Sequence, residues 1–291
     1  MAEANEQKAS TSSDLKERLR NFRYARESPF PTHGGTNSTN QIRTISRETA
    51  GDAAICRSNA RVTKRAPKQK TSKSTKYAPP SKYAHLKPLT DILEPNLICV
   101  FVGFNPGIRT ATTGHAYAHP SNLFWKLLHR SGCTDRQLKP EEDVNLPHLY
   151  SMGNTNLVSR PTKSDAELSK EEQLASVPIL DAKIRKYKPE AVCIVGKSIW
   201  ENIWKYRYGS KPSKAEFKFG WQDPKHNMGR LTIEDDNDDG DKAWAGAKVF
   251  VATSSSGLDA STKPVQKEAI WAPLGQWVQK RRRERENYSE P

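Results

Sequence analysis

The stretch NLICVFVGFNPG, residues 96–107, decides how the chain is read. Its apolar run is unbroken from Leu97 to Val102, carries β-branched residues, and is closed by Pro106 and Gly107. A strand with one wet face would alternate in polarity, so this one is expected to be buried on both faces. A helix follows: in HPSNLFWKLLHRSG (119–132) Leu123, Phe124, Leu127 and Leu128 share one face, and Gly132 sits where a C-terminal cap belongs. The segment EAVCIVGKSIWENIWKY (190–206) repeats the pattern, with AVCIV closing at Gly196 and Ile199, Trp200, Ile203 and Trp204 forming a helical stripe. Two strand-to-helix units in succession predict an α/β fold, a single domain with a central, mostly parallel sheet flanked by helices.

Outward from these units the signals weaken. Residues 138–176 read as loop with a helical stretch near Lys170. VPILDAKIRKYKP (177–189) reads as a helix with Pro178 in its first turn and Ile179, Leu180, Ile184 and Tyr187 on one side. FKFGW (217–221), RLTIE (230–234) and KVFVATS (248–254) are short strand candidates, and the acidic insert 234–246 between the last two reads as an exposed loop. The last helix is expected to turn Ile270, Leu274, Trp277 and Val278 inward and then fray into a basic tail, residues 280–291.

The 291 residues carry 47 Lys and Arg against 33 Asp and Glu, a net charge of +14, so the molecule attracts polyanions, nucleic acid most simply. Residues 1–87 are rich in Ser, Thr, Lys, Arg and Glu and poor in large apolar side chains, and are expected to be disordered. Within them residues 61–87 hold nine Lys or Arg and no acid, suited to DNA-backbone contact through Lys64, Arg65, Lys68 and Lys70, or to nuclear import. The four cysteines, Cys56, Cys99, Cys133 and Cys193, form no CxxC pair, which argues against a zinc ribbon or iron–sulfur site and for a reducing compartment. Neither a signal-peptide core nor an apolar stretch of about 18 residues is present, so a soluble intracellular protein is expected, with no membrane association.

In open α/β sheets ligands bind beyond the carboxyl ends of the strands, which is where Gly103 to Gly107 fall. Asn105 follows a buried strand directly, and Pro106 and Gly107 hold it in a turn, either to orient its amide or simply to cap that turn. The loop matches neither GxGxxG nor GxxxxGK[ST], so a nucleotide cofactor is not expected. Tyr117, in a glycine-preceded loop under a basic surface, suits stacking on an extruded base, its alternative being a packed surface ring. His115 and His119 read as structural or phosphate-adjacent, and Asp165, Glu167, Glu171 and Glu172 as a general-base pool or an acidic helix start.

Taken together, VGFNPGIRTATTGHAYAHPSNLFWKLL (102–128), GNTNLVSRPT (153–162) and VATSSSGL (251–258) resemble the mismatch-specific thymine/uracil-DNA glycosylases of the uracil-DNA glycosylase superfamily. The resemblance runs from about Asn96 to Val278 and leaves the N-terminal tail, the acidic insert and the C-terminal tail outside it; the catalytic domain is expected over residues 88–279, with the insert 234–246 as a loop within it. It implies a monofunctional glycosylase that flips uracil or thymine mispaired with guanine from double-stranded DNA and hydrolyses its glycosidic bond. By that analogy Asn105 positions the attacking water, Tyr117 stacks on the base, and backbone groups around Phe104 and Gly107 hold its edge. Ser256, Gly257 and Leu258 match the wedge that fills the gap left in the duplex, while Asp259 behind them needs a paired cation to sit near phosphates. Fast uracil-specific relatives carry Asp where this chain has Asn105, which implies slow turnover. The alternatives are a glycosylase tuned to etheno adducts, hypoxanthine or oxidised methylcytosine, and a noncatalytic damage-binding protein. No metal or organic cofactor is implied. A nuclear monomer is expected, since one pocket and one wedge suffice.

Overall fold

The computed structural model describes residues 77–230 and 244–288. Lys64, Arg65, Lys68 and Lys70, most of the acidic insert and most of RLTIE lie outside the described residues. Five strands, β1 (Cys99–Gly103), β2 (Met152–Asn156), β3 (Ala191–Val195), β4 (Gly220–Trp221) and β5 (Lys248–Ala252), form one sheet in the order β2-β1-β3-β5-β4. All neighbours are parallel except β4, which runs antiparallel to β5. Among the described residues six α-helices accompany them: α1 (Ile108–Thr113), α2 (Phe124–Arg130), α3 (Leu146–Tyr150), α4 (Lys170–Tyr187), α5 (Lys197–Tyr208) and α6 (Pro264–Tyr288).

The continuous apolar runs of β1, β3 and β5 have a simple cause, since each face of the sheet has its own core. Cys99, Phe101, Cys193, Val195 and Phe250 pack with Phe124, Leu128, Trp271, Leu274 and Val278 of α2 and α6. Val100, Val102, Val192, Ile194 and Val249 pack with Val177, Leu180 and Ile184 of α4 and Ile199, Trp200 and Ile203 of α5. Phe101 and Trp271 are fully buried, and truncating either to Ala would cost about 3–5 kcal/mol, a large share of a typical domain's stability.

Four expectations need correcting. The segment read as loop contains β2, whose sequence MGNTN has almost no apolar signal; Asn154 and Thr155 are nonetheless buried, and Thr155 Oγ1 donates to Asp91 at 2.6 Å. Helix α4 starts seven residues before Val177, because the Ser169 hydroxyl accepts from Glu172 N and caps it, so Pro178 lies inside the helix and Ile179 is exposed. Residues 280–288 are not a frayed tail but the last turns of α6, with Pro273 within the helix. They are fastened by Arg285 Nη2 to Glu190 at 2.7 Å and by Arg282 Nη2 to the Tyr150 carbonyl at 2.9 Å. The ordered domain also begins before residue 88: Ala78 N donates to Glu167 O at 3.0 Å, and Lys82 and the Tyr83 hydroxyl both reach the Glu167 carboxylate, at 2.7 and 2.8 Å. Lys82 thus serves an ion pair rather than a free basic segment.

Candidate active site

Strand order reverses between β1 and β3, and at such a switch the loops leaving the carboxyl ends diverge and open a crevice. The turn after β1 is laced to the chain leaving β2: Gly103 O accepts from Leu157 N at 2.9 Å, Phe104 O from Val158 N at 2.9 Å, and Pro106 O from Thr162 N at 3.1 Å. Asn105 stands between these ties. Its side-chain nitrogen donates to Thr162 Oγ1 at 2.8 Å and to Arg160 O at 3.0 Å. A backbone carbonyl can only accept, so the atom facing Arg160 O is the amide nitrogen, and Oδ1 is turned the other way with its lone pairs uncommitted among the described residues. The Arg160 carbonyl is itself steadied, because the Arg160 guanidinium grips Glu172 at 2.6 and 2.7 Å and Ala78 O at 3.2 Å.

Tyr117 has φ +53, a left-handed conformation that a side chain rarely adopts without help. The help comes from the buried Asp143, whose carboxylate accepts from Ala116 N at 2.7 Å and meets His115 Nδ1 at 3.0 Å. The Tyr117 ring is stacked on Phe124, with centroids 3.8 Å apart and planes 13° from parallel. Its hydroxyl is buried without a partner among the described residues, and burial, with a smaller contribution from Cys193, pushes it far above the ordinary phenol range. Behind the ring only glycine fits at 103, since a Cβ there would lie 2.6 Å from Asn156 Oδ1 and 3.1 Å from Tyr117 Oη. Asn156 and Tyr117 therefore both close on the end of β1 at Gly103.

The loop after β5 completes the crevice. Ser255 O accepts from Leu123 N at 2.8 Å, joining this loop to the start of α2. Gly257 lies so close to Ser121 that a Cβ would be 2.2 Å from the Ser121 carbonyl oxygen. Beyond it Leu258 is 92% exposed. Asp259 has its cation: Lys267 Nζ lies 3.1 Å from Oδ2. Burial pushes the Asp259 carboxyl up, but hydrogen bonds from Ser261 and Lys267 outweigh it and hold the group below the ordinary carboxylate range.

Tyr117 thus lies against Gly103, two residues before Asn105, and the 256–258 loop is tied through Leu123 and Ser121 to the start of the helix whose Phe124 backs Tyr117. Phe104 turns its ring to the core beneath α4 and α5, and its carbonyl, like that of Gly107, already serves the backbone. Of the candidate acids, Glu167 and Glu172 are spent on Lys82 and Arg160, and His119 Nδ1 meets Ser121, its Oγ at 2.8 Å and its backbone N at 3.3 Å. Among the described residues no three His, Cys, Asp or Glu side chains gather as a metal site, and no helix is long and apolar enough to cross a membrane.

A model of the uracil DNA glycosylase superfamily matches residues 90–275, which include every loop bordering the crevice. The chain belongs to the uracil DNA glycosylase superfamily. The superfamily match leaves out the 77–89 segment and the last turns of α6, both integral to the fold here. A relative from Schizosaccharomyces pombe, described as a G/U mismatch-specific uracil DNA glycosylase, is 35% identical over 202 residues. That alignment covers 68% of this chain and 56% of the relative, so the chain spans little more than half the length of the curated protein it matches. Within this superfamily member, sequence reasoning missed Thr162, Asn156, Asp143 and Lys267. Thr162 and Asn156 lie in the quoted motif GNTNLVSRPT, and their polarity beside a buried strand was the available signal.

Proposed function

We propose that the protein is a monofunctional DNA glycosylase that extrudes uracil, and thymine in the same mispair, from opposite guanine and hydrolyses the glycosidic bond as the first step of base excision repair. The observation that carries this reading is the fixed Asn105 amide, whose nitrogen is committed to Arg160 O and Thr162 Oγ1 while Oδ1 has no hydrogen-bond partner among the described residues. Oδ1 accepts a hydrogen bond from water and aims the water oxygen at the sugar C1′. As the C1′–O bond forms and the C1′–N1 bond breaks, the electron pair leaves with the base and the water proton passes to solvent. An amide cannot take that proton, so catalysis rests on orientation and on stabilising the departing anion, and turnover is slow. Tyr117, backed by Phe124, offers one ring face for the base, and Leu258 enters the vacated stack. The resemblance of the motifs and the description of the yeast relative support uracil opposite guanine as the first substrate. The basic residues of the N-terminal segment suit nuclear import and DNA contact.

The test uses protein in excess over duplexes carrying G·U, G·T, A·U or hypoxanthine, with alkaline strand cleavage measured in a single turnover. Release at G·U that falls by at least about a hundredfold in Asn105→Ala, with duplex affinity preserved, is expected from loss of water orientation. Undiminished release in that variant would refute the role of Asn105, and tight damage-selective binding without release from any duplex would refute the enzyme.

A further inference from the structure

The fourth residue of α6 is a lysine, Lys267, and its side chain is only 2% exposed. Two general costs oppose it there: a buried ammonium loses its hydration, and a cation in the first turn of a helix meets the positive end of the helix dipole. Such a residue persists where its contacts repay both costs. The ammonium has three hydrogens, and three acceptors surround it: Ser254 O at 2.8 Å, Asp259 O at 3.2 Å and Asp259 Oδ2 at 3.1 Å. Two of these acceptors are backbone carbonyls, one at each end of the segment Ser255–Leu258.

We infer that Lys267 is the positioning residue of the wedge, its ammonium closing Ser254 to Asp259 into a ring that presents Leu258 to the duplex. The inference rests on the reading of Leu258 as the wedge. Inside the ring the loop is already spare in freedom: Leu258 N donates to Ser256 Oγ at 3.3 Å, Asp259 N to Ser256 O at 3.1 Å, and Gly257 abuts Ser121. None of these bonds spans the loop from end to end, whereas the lysine does. Without it the loop could collapse its exposed leucine onto the protein surface, and each encounter with DNA would have to order the loop again at a cost in conformational entropy. Among the described residues the Lys267 ammonium bonds to Ser254 and Asp259 and not to Asn105 or Tyr117, so its effect belongs to extrusion of a paired base and not to bond cleavage.

The full-length protein is assayed in single turnover on a G·U duplex and on the same uracil strand alone, and the ratio of the two rates is compared among variants. The double variant Lys267→Met with Asp259→Asn removes both charges together and leaves neither buried alone. Its ratio is expected to fall about tenfold, the size associated with losing hydrogen bonds to a charged donor, while the single-strand rate stays within about twofold. Leu258→Ala should lower the ratio too, and adding it to the double variant should bring little further loss, because the lysine acts through that leucine. Asp259→Asn alone keeps both carbonyl contacts and should hold the ratio within about threefold. A wild-type ratio in the double variant, equal losses on both substrates, or a fall in Asp259→Asn as large as in the double variant would each overturn the inference. An unchanged ratio in Leu258→Ala would instead remove the wedge itself, and the inference with it, while leaving the glycosylase reading to the Asn105 test.

Discussion

Replacing Thr162 with Val keeps the shape of a buried side chain and removes one oxygen that does two jobs. Thr162 Oγ1 accepts from Asn105 Nδ2 at 2.8 Å and donates to Ser164 O at 2.7 Å. The Ser164 carbonyl belongs to an exposed residue and can turn to water, so the lasting loss is the grip on the amide. Two neutral hydrogen bonds at about 0.5–1.5 kcal/mol each predict a stability loss of about 1–3 kcal/mol and a Tm lower by roughly 2–12 °C. For catalysis, Nδ2 retains Arg160 O and a longer bond to Pro106 O at 3.4 Å, and loss of its shortest restraint, worth about 1 kcal/mol, corresponds to base release slowed roughly fivefold. The assay is single-turnover release from a G·U duplex, with duplex affinity measured by anisotropy. Affinity should not change. The sharper measurement is the double variant with Asn105→Ala, which should be no slower than Asn105→Ala alone, because Thr162 acts only by aiming that amide. A further fivefold loss in the double variant would mean that Thr162 touches water or substrate by itself, and the orientation argument would fail.

Other consequences can be checked with equal economy. Tyr117→Ala should weaken or slow base capture by about 1–3 kcal/mol, the usual worth of a base–aromatic stack, whereas Tyr117→Phe should match the wild type in release and be at least as stable, since it deletes only an unpartnered buried hydroxyl. Burial pushes the Glu190 carboxyl up, but hydrogen bonds from Arg281 and Arg285 outweigh it and hold the group below the usual glutamate range. Because the folded value is depressed, the ion-pair contribution is complete above about pH 5 and disappears as pH falls through the folded value below about 4.3, so the Tm advantage over Glu190→Gln should shrink only in acid. Changing Lys64, Arg65, Lys68 and Lys70 together to Gln should reduce the salt slope of nonspecific duplex binding by up to about 3.6, and an unchanged slope would show that these residues do not meet phosphate.

What could be read without coordinates follows from where the physical cause resides. β1 and β3 are apolar on both faces because helices cover both, and that pressure is written into consecutive residues such as Val100–Val102 and Val192–Ile194. β2 escapes the same reasoning because its buried Thr155 meets Asp91 and the Asn154 backbone pairs with Ile92, both from a distant part of the chain. The start of α4 was available in the spacing of Ser169 and Glu172, a capping pattern that Pro178 obscured. The last turns of α6 were not available, since their basic composition is that of a solvated tail until Glu190 is brought beside Arg281 and Arg285. In the site, Asn105 and Tyr117 announce themselves as a polar and an aromatic residue at strand and loop ends. Thr162 and Lys267 matter only through the atoms they reach across space, 57 and 8 residues away along the chain.

The stack of Tyr117 on Phe124 has a consequence for how the protein could be watched at work. Phe124 meets Phe101, Trp125 and Trp271 edge-on at centroid distances of 5.2, 5.1 and 6.0 Å, so the ring offered to a base is the outermost member of a column of aromatics rooted in the core. An arriving base would become one more layer on a pile whose lower layers were set when the chain folded. Two indoles, Trp125 and Trp271, stand behind the two rings Tyr117 and Phe124, with Trp125 Nε1 bonded to the Ala116 carbonyl next to Tyr117 itself. Their intrinsic emission makes the protein its own reporter, in which capture of a base and its later departure can be timed without a label on the DNA.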